Sequence, residues 1–500
     1  MEKKSNPNRS SGVLLHITSL PGPYGIGEIG TEAKKFIDNL VIMGQDYWQM
    51  LPTNYPEKCN SPYDTNSAFG QNPFLISLDG LIKDNLIEES DLLPIPSFNK
   101  KNVQFEQMKS WKLPILKKAA SNFSLSSEDQ ITKYKYFCEQ QKFWINDYAF
   151  FMVIKELQNK KDWSKWDVRF KEPSSAALKE IGNNFKDEIE NVKILQYLFY
   201  KQWKRLREYA NQKGVRLIGD IPIYVSFNSA DVWSNKDLFK LDENCTMLFQ
   251  SGVPPDHFME SGQLWGHPIY NWKGHQDSNF TWWIHRIKHI MEYVDLIRID
   301  HFNGLAKYWE VPITDMDAKH GQWVEAKGPE LLENIFTSIE GVNLIAEDLG
   351  EASTNAAVLR HKYNIPGMNI LQFSFNDIGG VEKMDKNTVL YTGTHDNDTS
   401  IGWFESLNDK LSTNELNNVK KVLNLDFEEV HWSMIDYALK SRAETVIIPA
   451  QDILGLGSDA RMNTPGIVNE ENWTWRLNDS QLNNPIMEKM KNISDKANRT

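Results

Sequence analysis

The stretch Leu296-Ile297-Arg298-Ile299-Asp300-His301-Phe302 sets a guanidinium and a carboxylate two residues apart at the end of an apolar run. Read as a β-strand, its side chains alternate, so Ile297 and Ile299 face one way while Arg298 and Asp300 share the other. Charged groups are seldom buried without a partner or a task, and the ends of buried strands are where α/β folds place their chemistry. Taken alone, an Arg-x-Asp pair reads equally well as a structural ion pair. The pattern recurs, however: apolar runs also end in Asp220, in Glu347, and in His395-Asp396. Carboxylates gathered beside Arg298, His301 and His395, without metal-ligand spacing, suit acid/base and nucleophilic work at a glycosidic bond. One carboxylate must be ionised to attack the sugar carbon, and another protonated to release the leaving oxygen. Arg298 would keep Asp300 ionised. A divalent cation is the other use of such a cluster, and no phosphate-handling residues accompany it.

These residues require elements that bring distant strand ends together. Gly12–Ile17 reads as a buried strand, followed by a helix capped by Thr31 with a Phe36, Ile37, Leu40, Val41 stripe ended by Gly44. A second strand covers Tyr47–Leu51, completing a β-α-β unit. From residue 52 to 214 the rhythm stops, and helices take over: one opens at Ser126 and carries Phe137, Trp144, Tyr148 and Phe151, and another carries Phe199, Trp203 and Leu206. This segment reads as an inserted, mainly helical subdomain. Strands then follow at 215–220, 296–302, 344–348, 368–373, 389–392 and 446–450, most of them after helical stretches such as Trp282–Val294 and the one begun by Pro329. Eight strands with acids at their C-terminal ends predict a (β/α)8 barrel spanning residues 1–500, and a doubly wound open sheet is the alternative. The Gly/Pro/Trp-rich excursion at 226–281 is expected to form loops over the barrel mouth.

Composition bounds the function. A formal charge of −12 without a basic block argues against nucleic-acid or anionic-membrane partners and points to a neutral substrate. Met1–Gly12 is polar and no run reaches the length of a membrane span, so a cytoplasmic protein is expected. Cys59, Cys138 and Cys245 are odd in number and widely spaced, which argues against disulfides or a zinc cluster. Seventeen Trp suit flat apolar ligands such as sugar faces as well as a core. Two motifs imply rival classes. Gly25-Ile26-Gly27-Glu28-Ile29-Gly30 fits the GxGxxG dinucleotide signature, but Pro21 and Pro23 intervene where an immediate turn is needed, and the second strand ends without an acid for a ribose. His285 and His289 stand four apart on a helix without the Glu of a zinc protease, and read as a solvated helix face.

The motifs GVLLHITSLPGPYGIGEIG, SPYDTNSAFGQNPFLISLD, GDIPIYV, GVPPDHF, GQLWGHPIYNW, RIDHF, IAEDLG, PGMNILQFSF, GTHDNDT, ARMNTPG and NWTWR run in order from residue 12 to about 476. Together they resemble the 4-α-glucanotransferases (amylomaltases, disproportionating enzymes) of glycoside hydrolase family 77. The resemblance implies an inserted (β/α)8 barrel that transfers α-1,4-glucan segments to glucose or malto-oligosaccharide acceptors with retention and without a cofactor or metal. It makes Asp300 the nucleophile, Glu347 the general acid/base and Asp396 the stabiliser. Arg298, His301 and His395 would contact the same sugar, with Asp220 in support. Tyr63 would be a stacking platform, with Phe373 and Asp377 near it. Asp256, Gln263 and Trp265 would belong to the loop over the cleft. One departure from the family pattern is Asn303-Gly304 where RIDHF is usually followed by Arg-Gly. An α-amylase-like hydrolase and a non-catalytic α-glucan-binding protein are the alternatives, the second having no need of Asp300 with Glu347.

Overall fold

The computed structural model describes residues 9–255, 260–350, 353–376, 381, 384–425 and 429–500. Eight parallel strands form one sheet: β1 (Ser10–Leu14), β2 (Tyr47–Gln49), β3 (Arg216–Pro222), β6 (Leu296–Asp300), β9 (Leu344–Ala346), β10 (Gly367–Ile370), β11 (Thr388–Tyr391) and β12 (Thr445–Pro449). Their order is β10-β11-β12-β1-β2-β3-β6-β9. The two ends of that order meet, because the Ala346 N–H donates to the Pro366 carbonyl at 2.9 Å. The sheet is a (β/α)8 barrel, and the open-sheet alternative fails on this closure. All eight expected strands are present, five of them one or two residues shorter than read and β3 one residue longer. Parallel strands buried on both faces are near-continuous hydrophobic runs, and Val446, Ile447 and Ile448 or Val389, Leu390 and Tyr391 are of this kind, each 2% exposed or less.

The barrel lumen is not wholly apolar. Tyr391 donates to Gln49 Oε1 at 2.8 Å inside it, and the buried Arg298 donates from Nε to the Met368 sulfur at 3.3 Å. Polar side chains therefore run from the packed interior toward the end where the acids stand.

Between β2 and β3 lies the helical insertion, with helices at Phe105–Phe123, Glu128–Gln140, Ile145–Leu157 and Lys186–Gln212 among others. Its last helix returns to the barrel: Trp203 Nε1 donates to the Tyr293 carbonyl at 2.8 Å, and Arg207 Nη2 pairs with Asp295 at 2.7 Å. His289 corrects the reading of a solvated helix face. It is 2% exposed, with Nδ1 against Gln141 Oε1 at 3.1 Å and Nε2 against the Phe69 carbonyl at 3.0 Å. The insertion covers that face, and burial pushes the imidazole down to about 4. His285 lies against the Phe143 ring with centroids 4.4 Å apart.

Smaller readings shift as well. Thr31 is the first residue of the Thr31–Ile42 helix rather than its cap, which is Gly30, and Val41 is 42% exposed. The helix expected from Ser126 is two, Glu128–Gln140 and Ile145–Leu157, broken where the Trp144 N–H turns back to the Gln141 carbonyl at 3.1 Å.

A second sheet has no counterpart in the sequence reading. Strands β4 (Phe249–Val253), β5 (Gln263–Pro268), β7 (Lys307–Pro312) and β8 (Gln322–Glu325) form an antiparallel sheet in the order β5-β4-β7-β8. Two come from the excursion after β3 and two from the excursion after β6, so this sheet is assembled across a barrel strand. The glycines of the GxGxxG motif serve packing: a Cβ at Gly27 would lie 1.8 Å from the Ile17 carbonyl, and the Gly27 N–H is already given to Thr18. The three cysteines are free. No helix among the described residues is long and apolar enough to cross a membrane.

Candidate active site

Strand pairing decides which charged residues meet. Asp220 on β3 lies in register with Arg298 on β6, and Ile299 on β6 with Ala346 on β9, which leaves Asp300 and Glu347 as the next neighbours. Adjacent strands run about 4.8 Å apart, so the two carboxylates leave the sheet side by side. Both strands continue to be tied beyond their ends, with the Glu347 N–H donating to the Ile299 carbonyl at 3.1 Å and the Phe302 N–H to the Glu347 carbonyl at 2.9 Å.

Arg298 organises the charges. Its Nη1 donates to both Asp220 oxygens at 2.9 and 2.7 Å, and its Nη2 reaches Asp300 Oδ1 at 2.9 Å. The expected common face of Arg298 and Asp300 is thus the observed one. Burial opposes the guanidinium charge, but Asp220 and Asp300 overcome it and hold Arg298 charged. Burial also pushes the Asp220 carboxyl up against the pull of Arg298. Tyr63 OH donates to Asp220 Oδ2 at 2.8 Å, joining the insertion-side loop to this network.

Glu347 sits in a different environment. Its Oε2 accepts the His301 N–H at 2.7 Å and its Oε1 the Leu349 N–H at 3.2 Å. Burial, then the neighbouring Asp300 charge, push the carboxyl up to about 7 against Arg298 and these two donors. A carboxyl raised this far can hold its proton near neutral pH and serve as an acid. The His301 backbone reaches Glu347 from the left-handed region, φ 52°. Its imidazole is pushed down to about 4 by burial, although Asp300 pulls the other way.

Across the mouth, His395 Nε2 stands 3.3 Å from Asp396 Oδ2, and the His395 ring stacks on Tyr63 with centroids 5.1 Å apart. Trp265 on β5 meets His301 edge-on at 4.7 Å, and its Nε1 donates to Gln263 Oε1 at 3.1 Å. Phe373 is 58% exposed on the 3-10 turn Leu371–Asn376. Asp256 and Asp377 lie outside the described residues. A cleft of about 480 Å³ is bordered by Ser61, Gln263, Trp265, Asn463 and Trp473. Among the described residues, no group of three or more His, Cys, Asp or Glu is placed to hold a metal ion.

Sequence reasoning missed several members. Asn463 Nδ2 donates to Asp396 Oδ1 at 2.6 Å, and Arg461 Nη2 to the Asp396 carbonyl at 2.5 Å. Trp473 lies 5.9 Å from the rings of both Tyr63 and His395. Half-buried His267 is pushed down by burial, against the upward pull of Asp64 and Asp300. The signal existed: these residues fall within ARMNTPG, NWTWR and GQLWGHPIYNW.

Comparison with known proteins agrees with this geometry. A family model described as 4-alpha-glucanotransferase matches residues 15–482. The chain is 41% identical over 485 residues to the 4-alpha-glucanotransferase of Synechocystis sp., with 95% of each covered. It is 40% identical over 474 residues to that of Aquifex aeolicus, covering 94% of this chain and 95% of the relative. Among solved structures, the amylomaltase from Streptococcus agalactiae in complex with acarbose superposes with a TM-score of 0.94 at 37% identity, over 98% of this chain and 99% of that one. The amylomaltase from Corynebacterium glutamicum, 18% identical, shares the fold with a TM-score of 0.79 over 97% of this chain and 75% of that one. A closed barrel with these strand-end acids and a match over nearly its whole length place the chain in one family: it belongs to the 4-α-glucanotransferases of glycoside hydrolase family 77.

Proposed function

We propose that this 4-α-glucanotransferase works by double displacement with retention, moving α-1,4-glucan segments from a donor to glucose or a malto-oligosaccharide. The observation that carries the reading is the difference between two neighbouring carboxyls: Asp300 is paired with a charged guanidinium, while Glu347 is pushed up to about 7. Asp300 attacks the sugar carbon as the ionised nucleophile. Glu347, protonated, gives its proton to the departing glycosidic oxygen, and a covalent glycosyl-enzyme forms. Glu347, now a carboxylate, then takes the proton from an acceptor hydroxyl as that oxygen displaces Asp300 from the sugar carbon. A retaining pair stands about 5 to 5.5 Å apart, a spacing that adjacent parallel strands supply. Asp396, fixed by Asn463, holds sugar hydroxyls, and Tyr63 with His395 and Trp473 offers an aromatic wall at the same sugar. The acarbose in the Streptococcus agalactiae structure supports an α-glucan-like occupant for this cleft.

Transfer rather than hydrolysis requires the glycosyl-enzyme to meet a sugar hydroxyl before water. Trp265 against His301 is placed to provide that shield. Trp265→Ala is expected to raise the hydrolysis-to-transfer ratio by about fivefold to thirtyfold, the size of effect that losing one apolar contact of about 1–2 kcal/mol produces. Reducing-end release measured against chain-lengthened products reads that ratio, and an unchanged ratio would place the shield elsewhere. The function as a whole is tested by incubating the protein with maltotriose and resolving products by size. Glucose together with chains of five or more units is expected, whereas glucose and maltose with no longer chain would favour a hydrolase.

A further inference from the structure

The turn after Asp300 grips the Glu347 segment at three points. The His301 N–H bonds Glu347 Oε2 at 2.7 Å, and the Phe302 N–H bonds the Glu347 carbonyl at 2.9 Å. The third point is a side chain: Asn303 Nδ2 donates to the Leu349 carbonyl at 2.6 Å. Leu349 passes the restraint on, since its own N–H is the donor to Glu347 Oε1. Any residue in this turn could supply the two backbone contacts, but the third depends on what stands at 303.

Packing alone does not account for an amide there. Asn303 is 2% exposed, and its Oδ1 is buried with no hydrogen-bond partner among the described residues. An acceptor left in that state is unfavourable, so the residue's one satisfied polar contact is what an apolar side chain could not supply. On its other side the segment is independently secured, because Asp348 is paired with Arg360 Nε at 2.6 Å and accepts the Met368 N–H at 2.9 Å.

We infer that Asn303 is a positioning residue for the Glu347 carboxyl: by holding the Leu349 carbonyl it restrains the Leu349 backbone, whose N–H, one peptide unit earlier, bonds Oε1 and aims the carboxyl at the sugar beside Asp300. The inference rests on the proposed acid/base role of Glu347. With the latch gone, the Leu349 backbone is free to shift at its Cα, and the N–H bond to Oε1 is weakened or lost. A backbone N–H favours the ionised form of a carboxyl, so its loss leaves Glu347 protonated to higher pH, but less well aimed. The other groups that act on Glu347 are Arg298 and Asp300 from β6, His301 from the turn, and Tyr391 from β11. A substitution at 303 leaves all of them in place.

Two variants of the full chain separate positioning from stability. Asn303→Ala removes the amide. Asn303→Leu keeps the branched outline and heavy-atom count, at a larger volume, while deleting both the donor and the unpaired acceptor, so the protein should still fold. In both, kcat for maltotriose disproportionation is expected to fall about 10- to 100-fold, as for a catalytic group displaced by up to an ångström. KM should stay within about threefold, and the alkaline limb of kcat/KM should move up by roughly half a pH unit or more. Wild-type kcat with an unmoved alkaline limb in the folded Asn303→Leu protein would overturn the inference. Glu347→Gln, assayed alongside, keeps the two claims apart. If it retains turnover, the role of Glu347 itself falls. If it is inactive while Asn303→Leu behaves as wild type, only the latch falls.

Discussion

Asp300→Asn is expected to lower the rate of maltotriose disproportionation by about 10⁴-fold or more, the loss seen when a group that acts as part of a catalytic unit is removed. The amide cannot form the covalent bond to the sugar, so the first displacement has no nucleophile. The fold should survive the change. Asp300 is 30% exposed at its side chain, and Arg298 keeps both contacts to Asp220, so no buried charge is left unpaired. An unchanged thermal melt with the rate lost is therefore the expected pair of results. A rate within tenfold of wild type in the folded variant would remove Asp300 from the reaction.

Glu347→Gln should cost nearly as much with maltotriose, about 10³-fold or more, because the proposed mechanism runs both proton transfers through this carboxyl. The loss should depend on the leaving group. A glucosyl fluoride donor departs without protonation, so formation of the glycosyl-enzyme should be largely retained while its breakdown is slow. Equal losses with both donors would contradict an acid role.

The same residue sets two pH effects of definite sign. In the proposed mechanism Glu347 must be protonated to start the reaction, so kcat/KM should fall as pH rises through about 7. For stability, the native carboxyl binds its proton more tightly than the unfolded chain, whose value is near the ordinary 4.5. Between about 4.5 and 7 the native state holds more protons than the unfolded state, so this residue's contribution falls as pH rises and is fully unfavourable above 7. Glu347→Gln should then raise Tm at pH 8 and leave it unchanged at pH 4. The penalty relieved is roughly 3 kcal/mol at most. A lower Tm at pH 8 would show that the two backbone donors, rather than burial, dominate its environment.

The barrel was legible because an acid closing an apolar run breaks the local pattern where it stands, and four such breaks fall at or near the C-terminal ends of strands, Asp220 just inside β3 and His395-Asp396 just beyond β11. Asp220, Asp300, Glu347 and the His395-Asp396 pair could be placed at one mouth before any coordinates, since closing eight parallel strands leaves them nowhere else. The second sheet was not legible. Its strands are no shorter than those of the barrel, but one reads Gln322-Trp323-Val324-Glu325, and β4 pairs with β7 across more than fifty residues that include a barrel strand. Nothing in local composition announces such a pairing.

His289 was misread for a similar reason. A lone polar residue on a helix looks solvated until one knows that Gln141 and Phe69 arrive from other parts of the chain to cover it. Asn463 escaped because it carries no charge and breaks no pattern, and Asn303 stood out only as a departure from the family pattern, with no role attached. Their roles exist only in what they donate to, Asp396 in one case and the Leu349 carbonyl in the other.

The most direct test of the account is to trap the intermediate. Glu347→Gln mixed briefly with α-glucosyl fluoride, quenched in acid and digested, should yield one glycosylated peptide, the one containing Asp300. A sugar carried by a peptide with Asp220, Asp396 or another acid, or inverted products with no adduct at any time, would contradict it.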